Sequence, residues 1–267
     1  IDLSGRSSPR FLDIDNDNDN DMFIGEWNGK IKFYQNNGTP EIFNFDYLGE
    51  LNAINENNVL DIIDLSGRSS PRFLDIDNDN DYDLFIGTVN GNITFYENTG
   101  TNNSYEFTFI TDQYNQIELG KNAKPDFVDI DLDNDFDLLV GSESMGVSLY
   151  RNIGSIDSAD YVLDSTYSFI SGQNIAPSTS NLFSLDTLDV VFGLSTGGLF
   201  HAQLNLCESG DINNDQSIDV IDVNLIIDIV LFGDFNLTNF LCRADLDGNN
   251  DINIYDIILL VEIILNN

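Results

Sequence analysis

The sequence predicts a mainly β protein, built of four-stranded propeller blades and followed by a small all-α module of two loop-helix units. Three observations carry that fold class. Residues 1–21, IDLSGRSSPRFLDIDNDNDND, recur at 63–83 as IDLSGRSSPRFLDIDNDNDYD, differing only at Asn20 versus Tyr82. Each copy runs into residues that alternate apolar and polar, the period of a half-buried strand. From residue 211 the pattern turns helical, and Asp211–Gly233 and Asp245–Asn267 superpose at a constant offset of 34.

The repeat has two further copies, PDFVDIDLDNDFDLLVG from Pro125 and PSTSNLFSLDTLDVVFG from Pro177, giving spacings of 62, 54 and 52 residues. Every unit has the same order of signals: a short apolar run, an Asp-rich loop, then an alternating strand such as Asp21–Trp27. That strand reaches Asn28-Gly29 in the first unit and Asn90-Gly91 in the second, a dipeptide that favours a tight hairpin turn. Return strands are expected at Ile31–Tyr34 and Ile93–Tyr96, and outer strands at Ile42–Leu48 and Tyr105–Ile110. Four strands in 50 to 60 residues is one propeller blade. The expected division is blades over 1–205 and the helical module over 206–267.

Charge excludes one class of function. Ten Lys+Arg against 46 Asp+Glu give a formal net charge of −36, which rules out a nucleic-acid partner on electrostatic grounds. An apolar content of 42%, with 19 Phe and 10 Tyr, is too rich for an acidic disordered chain. The apolar stretches Ile218–Phe232 and Ile252–Leu265 are each interrupted by acids, so no membrane span is expected. The chain opens on Ile1 and shows no basic, apolar leader, which reads as a mature or truncated piece of a longer protein.

Half of the acids, 23 of 46, sit in five short loops. Acids concentrated in this way are a ligand supply for a hard cation. In the first loop Asp13, Asp15, Asp17 and Asp21 fall at positions 1, 3, 5 and 9, projecting toward one centre. Asp75, Asp77, Asp79 and Asp83 repeat this, as do Asp129, Asp131, Asp133 and Asp137. Asp19, Asp81 and Asp135, at position 7, are expected to offer a main-chain carbonyl. Asn18, Asn80 and Asn134 stand at position 6, where a sharp turn suits a residue that tolerates positive φ. Four carboxylates within a few ångströms repel one another without a cation, so calcium is the expected ligand.

These loops resemble the FG-GAP/VCBS repeats of integrin-like β-propellers, whose loop reads D-x-D/N-x-D-G-x-x-D before an apolar strand and Gly. The resemblance covers residues 1 to 205 and implies an extracellular contact surface. This chain departs from the pattern in two ways. Asn replaces Gly at position 6, and the fourth unit keeps only Asp189, with Phe183, Leu185 and Thr187 at the other ligand positions. Blade four is therefore expected to bind no metal. The family usually closes with six or more blades, which implies further blades before residue 1.

The C-terminal loops place oxygens at positions 1, 3, 5, 7, 9 and 12, as in an EF-hand loop. They are Asp211, Asn213, Asp215, Ser217, Asp219 and Asp222, then Asp245, Asp247, Asn249, Asp251, Asn253 and Asp256. Two such units are similar to a type I dockerin, the calcium-dependent plug that docks into a cohesin, over residues 208 to 266. The resemblance places recognition residues just after position 9, at Val220, Ile221, Ile254 and Tyr255. In the second helix Ile254, Ile257, Ile258, Val261 and Leu265 form one stripe, yet Leu259, Leu260, Ile263 and Ile264 lie outside it. That excess calls for a second buried face.

About five Ca²⁺ ions are thus expected, three on the blades and two in the module. Cys207 and Cys242 could clamp the two loop entries as a disulfide, which suits a secreted or cell-surface protein; two buried thiols are the alternative. His201 is the only His, and no GxSxG, HExxH or GK[ST] occurs, so no enzyme is expected. Trp27 is expected to serve blade packing. The favoured reading is a non-catalytic extracellular protein, its propeller meeting carbohydrate or a cell-surface ligand and its plug meeting a cohesin-like or other surface protein. The alternative is a fragment of a secreted polysaccharide-degrading enzyme whose catalytic part lies elsewhere.

Overall fold

The computed structural model describes residues 7–130, 135–143, 145–155, 158–165, 174–180, 187–194, 197–205, 210–213, 217–232, 241–246 and 252–266. The chain divides into two compact units. One comprises Ile1–Val128, Asp135–Thr179 and Val190–His201, the other Asp129–Asn134, Ser180–Asp189 and Ala202–Asn267. The architecture is mainly β, a four-blade propeller-like arrangement, with two long C-terminal helices and a short one among the described residues.

Blade one is the sheet β1 (Ser8–Leu12), β2 (Asp21–Gly25), β3 (Ile31–Asn36) and β4 (Phe45–Glu50), ordered β1-β2-β3-β4 with antiparallel neighbours. After it come β5 (Asn52–Ile54) and β6 (Leu60–Ile62), a short hairpin. Blade two is β7 (Ser69–Leu74), β8 (Asp83–Thr88), β9 (Ile93–Asn98) and β10 (Phe107–Thr111). The hairpin joins blade two, β5 lying parallel to β10 at Thr108↔Ile54, so that sheet has six strands. Blade three is β11 (Lys124–Val128), β12 (Asp137–Gly141), β13 (Val147–Asn152) and β14 (Tyr161–Asp164). In blade four the described strands are β15 (Ala176–Ser180), β16 (Thr187–Gly193) and β17 (Leu199–Asn205).

Aromatic rings fasten one blade to the next. Phe23 of β2 stacks on Phe33 of its own blade at 4.6 Å and meets Phe73 of β7 at 4.6 Å; Phe85 of β8 does the same with Phe95 and with Phe127 of β11, both at 4.7 Å. Phe23 and Phe85 are fully buried, and burying such a ring stabilises by about 1.5–3 kcal/mol. In blades one and two a glycine at the end of the central strand makes room for the neighbouring blade. A Cβ on Gly25 would lie 2.4 Å from the Ser69 carbonyl oxygen, and one on Gly87 2.2 Å from that of Ala123.

Several sequence expectations need correction. The outer strands begin later than the apolar runs suggest, at Phe45 and Phe107, because Thr39 and Ile42 exchange backbone hydrogen bonds (2.9 and 3.1 Å) in a tight turn that Thr101 and Ser104 repeat. The strand expected over Asp21–Trp27 ends at Gly25, and Trp27 lies in the following turn, half exposed, with the Arg68 guanidinium 4.3 Å from its ring centre. That turn is the tight hairpin that the Asn28-Gly29 dipeptide favours, joining antiparallel β2 and β3. Gly29 alone takes positive φ (90°), closing a turn in which its N–H donates to the Glu26 carbonyl at 3.3 Å. The β5–β6 hairpin was not foreseen; it occupies the extra length of the 62-residue spacing.

The second unit carries α1 (Val220–Phe232), the short α2 (Leu241–Ala244) and α3 (Ile254–Asn266). Its core is Ile212, Ile226, Ile229, Ala244 and Leu260, with Ile257 and Ile264 packed against it. The stripe read from the sequence splits in two. Ile257 turns to the core, whereas Ile254, Ile258, Val261 and Leu265 are exposed, along with Tyr255. α3 is apolar almost all round, so its period alone does not say which stripe meets α1. Among the described residues no helix is long and apolar enough to cross a membrane.

Candidate metal centres and the helical module

Each propeller loop connects the inner strand of a blade to its central strand. Ile14, at loop position 2, is buried in the core between blades one and two and pins the first loop, and Ile76 packs likewise in the second. Oxygens of Asp13, Asp15 and Asp17 lie within 4.8 Å of one another, as do those of Asp75, Asp77 and Asp79. The turn is made by asparagines in the left-handed region, Asn18 (φ 72°) and Asn80 (φ 73°) at position 6, Asn16 and Asn78 at position 4. Asp13 holds it closed by accepting from the backbone N–H groups of Asp17 (3.1 Å) and Asn18 (2.9 Å), and Asp75 does so from Asp79 and Asn80.

The carboxylate at position 9 is fixed by the sheet. One oxygen of Asp21 accepts from the Asn36 N–H at 2.7 Å, that of Asp83 from Asn98 at 2.8 Å, and that of Asp137 from Asn152 at 2.8 Å. The side chain of each asparagine then accepts two N–H groups of the next turn; Asn36 takes those of Gly38 and Asn44. Asn98 takes Gly100 and Glu106, and Asn152 takes Gly154 and Asp160. The sequence reading missed these asparagines, though the signal is present as Tyr-x-Asn-x-Gly at 34–38, 96–100 and 150–154.

The electrostatics fit a divalent cation. Burial pushes Asp21 up to about 6 and Asp83 up to about 7. Asp81 is pushed up to about 6 by burial, then by the charges of Asp79, Asp77 and Asp75. Buried oxygens of Asp15, Asp19, Asp21 and Asp81 accept no hydrogen bond. Buried carboxylate oxygens without donors are costly unless a cation meets them, and a calcium ion in the loop would supply that partner. Asp19 and Asp81, at position 7, are expected to present main-chain carbonyls; their side chains are buried, and burial first, then the charges of the other loop carboxylates, raises both above the ordinary value.

In the third loop Asp135 and Asp137 are buried and Asp129 is half-buried, while Asp131, Asp133 and Asn134 lie outside the described residues. In blade four Asp189 is buried and accepts from the Gln203 side chain at 3.0 Å. Phe183 and Leu185 lie outside the described residues, and of Thr187 only the backbone is described.

The helical module repeats one arrangement twice. Asp222 and Asp256, at position 12, are fully buried in the first turns of α1 and α3. One oxygen of Asp222 accepts from Ile212 (2.8 Å) and Asn213 (3.2 Å), the other from Asp219 (2.9 Å). Asp256 accepts from Leu246 and Asn253, both at 2.8 Å. Position 9 caps the helix: Asp219 accepts from Ile221 at 2.7 Å and Asn253 from Tyr255 at 2.9 Å. Asp211 is buried, and its carbonyl accepts from Arg243 at 3.4 Å. Asn213 and Asp245 are partly covered and Ser217 is exposed; Asp215, Asp247, Asn249 and Asp251 lie outside the described residues. So does Cys207, and the side chain of Cys242 with it, which places the disulfide expectation there too. Val220, Ile221, Ile254 and Tyr255 are all exposed, Tyr255 at 66%.

Residues 209–265 match the dockerin type I domain family. Dockerin domains bind calcium and cohesins and are typically extracellular. No curated protein is a significant match to the chain.

Proposed function

We propose that the chain is a non-catalytic, extracellular calcium-binding protein, in which a propeller presents a ligand surface and the C-terminal module docks it onto a cohesin. The observation that carries this is the dockerin match over residues 209–265 together with the doubled placement of Asp222 and Asp256, each closing its loop onto the start of a helix. The apolar residues that a partner would cover are Val220 and Ile221 on α1 and Ile254, Tyr255, Ile258, Val261 and Leu265 on α3. Large exposed side chains are normal singly, but a row spaced three and four along one helix is an interface pattern. Five calcium ions are proposed, three at the propeller loops that begin at Asp13, Asp75 and Asp129 and two in the module, with none at Asp189.

On the propeller, blade one shows an exposed aromatic group, Phe11, Phe43 and Tyr47, with Phe45 5.9 Å from Phe43. That surface supports contact with carbohydrate or a cell-surface ligand.

The test is docking of the calcium-loaded chain to a type I cohesin module, followed by calorimetry. Tyr255→Asp should abolish docking and leave calcium binding intact. Wild-type protein that ignores cohesin panels in calcium, or a Tyr255→Asp chain that loses calcium binding together with docking, would overturn this reading of the docking face.

A further inference from the structure

The inner strands β1, β7, β11 and β15 are equivalent positions of the repeat, and each has a proline followed by one variable residue: Pro9-Arg10, Pro71-Arg72, Pro125-Asp126 and Pro177-Ser178. Two of the four carry a cation and one an acid. Arg72 takes the acid, its Nε 2.8 Å from Asp126 Oδ1. The other oxygen of Asp126 accepts from the Thr179 backbone at 2.7 Å and its hydroxyl at 3.0 Å. Asp126 is therefore fully committed. Among the described residues Arg10 is left with a single hydrogen bond, Nη1 to the Pro9 carbonyl at 2.7 Å, and a buried Nε that meets no acceptor there.

Arg10 lines a cavity of about 460 Å³, together with Arg68 and Lys124. That volume is within the usual range for small-ligand pockets. Three of the ten basic residues of the chain meet there, and among the described residues no acid lines it, although the Glu143 carboxylate accepts from the lining Asn122 side chain. The cations are held in place by amides: Arg68 donates to the Asn122 side chain at 2.9 Å, Asn122 to that of Asn174 at 3.2 Å, and Lys124 to the Asn174 carbonyl at 2.8 Å. The rest of the lining is rich in hydroxyls, and the buried Thr88 hydroxyl has no partner among the described residues.

We infer that this cavity binds a small polyhydroxylated carboxylate, a sugar acid of the hexuronate class. Guanidinium groups recognise carboxylates through paired, charge-assisted hydrogen bonds, and hydroxyl and amide groups match sugar hydroxyls. Net charge restricts the ligand to a small one. At physiological salt, fields decay over about 8 Å, so a monosaccharide acid in the cavity feels its three cations, whereas a long polyanion also meets the acidic exterior. The inference rests on the proposed reading of the propeller as the ligand-presenting part, and it names the ligand class.

The test is calorimetric titration of the full calcium-loaded chain with sodium D-glucuronate, D-glucose and sodium acetate. Saturable glucuronate binding is expected, with acetate at least about tenfold weaker and glucose silent. Arg10→Gln should weaken glucuronate binding about tenfold or more, the effect of losing one charge-assisted contact, while Arg10→Lys keeps part of it. Lys32→Gln, outside the cavity, should change nothing. Melting and calcium stoichiometry confirm each fold, and Lys124→Gln serves if Arg10→Gln proves unstable. No glucuronate binding, equal binding of glucose, or wild-type affinity in both Arg10→Gln and Lys124→Gln would overturn the inference, the last by placing the acid on a calcium ion. Cohesin docking measured on the same samples separates the two readings: docking without glucuronate binding overturns the cavity assignment alone.

Discussion

The two kinds of acidic loop differ in what holds them. A propeller loop hangs from a finished sheet: Asp21, Asp83 and Asp137 are tied to the asparagine N–H at the end of the next strand, and Phe23 and Phe85 are fully buried against rings of their own and the next blade. In the helical module the position-12 carboxylates bond to their own loops, and the core is a handful of aliphatic side chains, among them Ile212, Ile226 and Leu260. In the first case the fold supports the loop. In the second the loop is much of the fold, so that on the proposed calcium reading metal binding and folding would be one event.

The largest expected effect sharpens that contrast. Chelation with EDTA should abolish the helical circular-dichroism signal of α1 and α3 while the β signal persists to a lower melting temperature. Helices that survive chelation, or a propeller that unfolds with them, would break the comparison.

Next in size is a change confined to the propeller. Removing Asp126 leaves Arg72 buried without its partner, and Asp126→Ala should cost about 3–5 kcal/mol in denaturant unfolding of the blades. Helix melting in the same variant should keep its wild-type calcium dependence.

A smaller effect is a reversal with pH. In EDTA, burial holds Asp21 and Asp83 at about 6 and about 7, above the ordinary 3.8, so the folded blades bind protons more tightly than the unfolded chain. Their contribution is fully favourable below pH ~4 and is lost as pH rises through 6 to 7, so blade melting should rise on going from pH 8 to pH 5. In saturating calcium, protons compete with the ion, and the same titration should lower the melting temperature. Parallel slopes in the two buffers would mean that these carboxylates are not ligands.

The smallest effect is at the exposed helix face. Tyr255→Asp should shift module stability by no more than about 0.5 kcal/mol, as for an exposed residue outside the core. Thermal melting in calcium checks it, and a loss of several kcal/mol would place Tyr255 in the core.

Much of this was legible in the sequence because the repeats are explicit. Asp-rich loops at a fixed distance from an apolar strand located the central strands, and an oxygen at every second position located the loops. What was not legible has physical causes. In α3 both Ile257 and Ile258 are apolar, and only packing against the rest of the module decides that the first goes in and the second stays out. Trp27 follows the alternation of its strand by sequence, but the chain leaves the sheet at Gly25 to make the turn. The β5–β6 hairpin has strands of three residues, too short for a period, and half of its partnership is a parallel pairing with β10, more than fifty residues further along.

That hairpin bears on how the chain avoids assembling wrongly. Residues 1–21 and 63–83 are nearly interchangeable, and β1 pairs with β2 through the same residues as β7 with β8: Pro9 faces Ile24 and Pro71 faces Ile86. Near-identical neighbours invite strand exchange, within one molecule or between two. By laying β5 along β10, the hairpin gives blade two an outer border that blade one lacks, and it covers an edge otherwise open to a foreign strand. It is an address label, written where the duplicated text is silent, that marks one of the two copies.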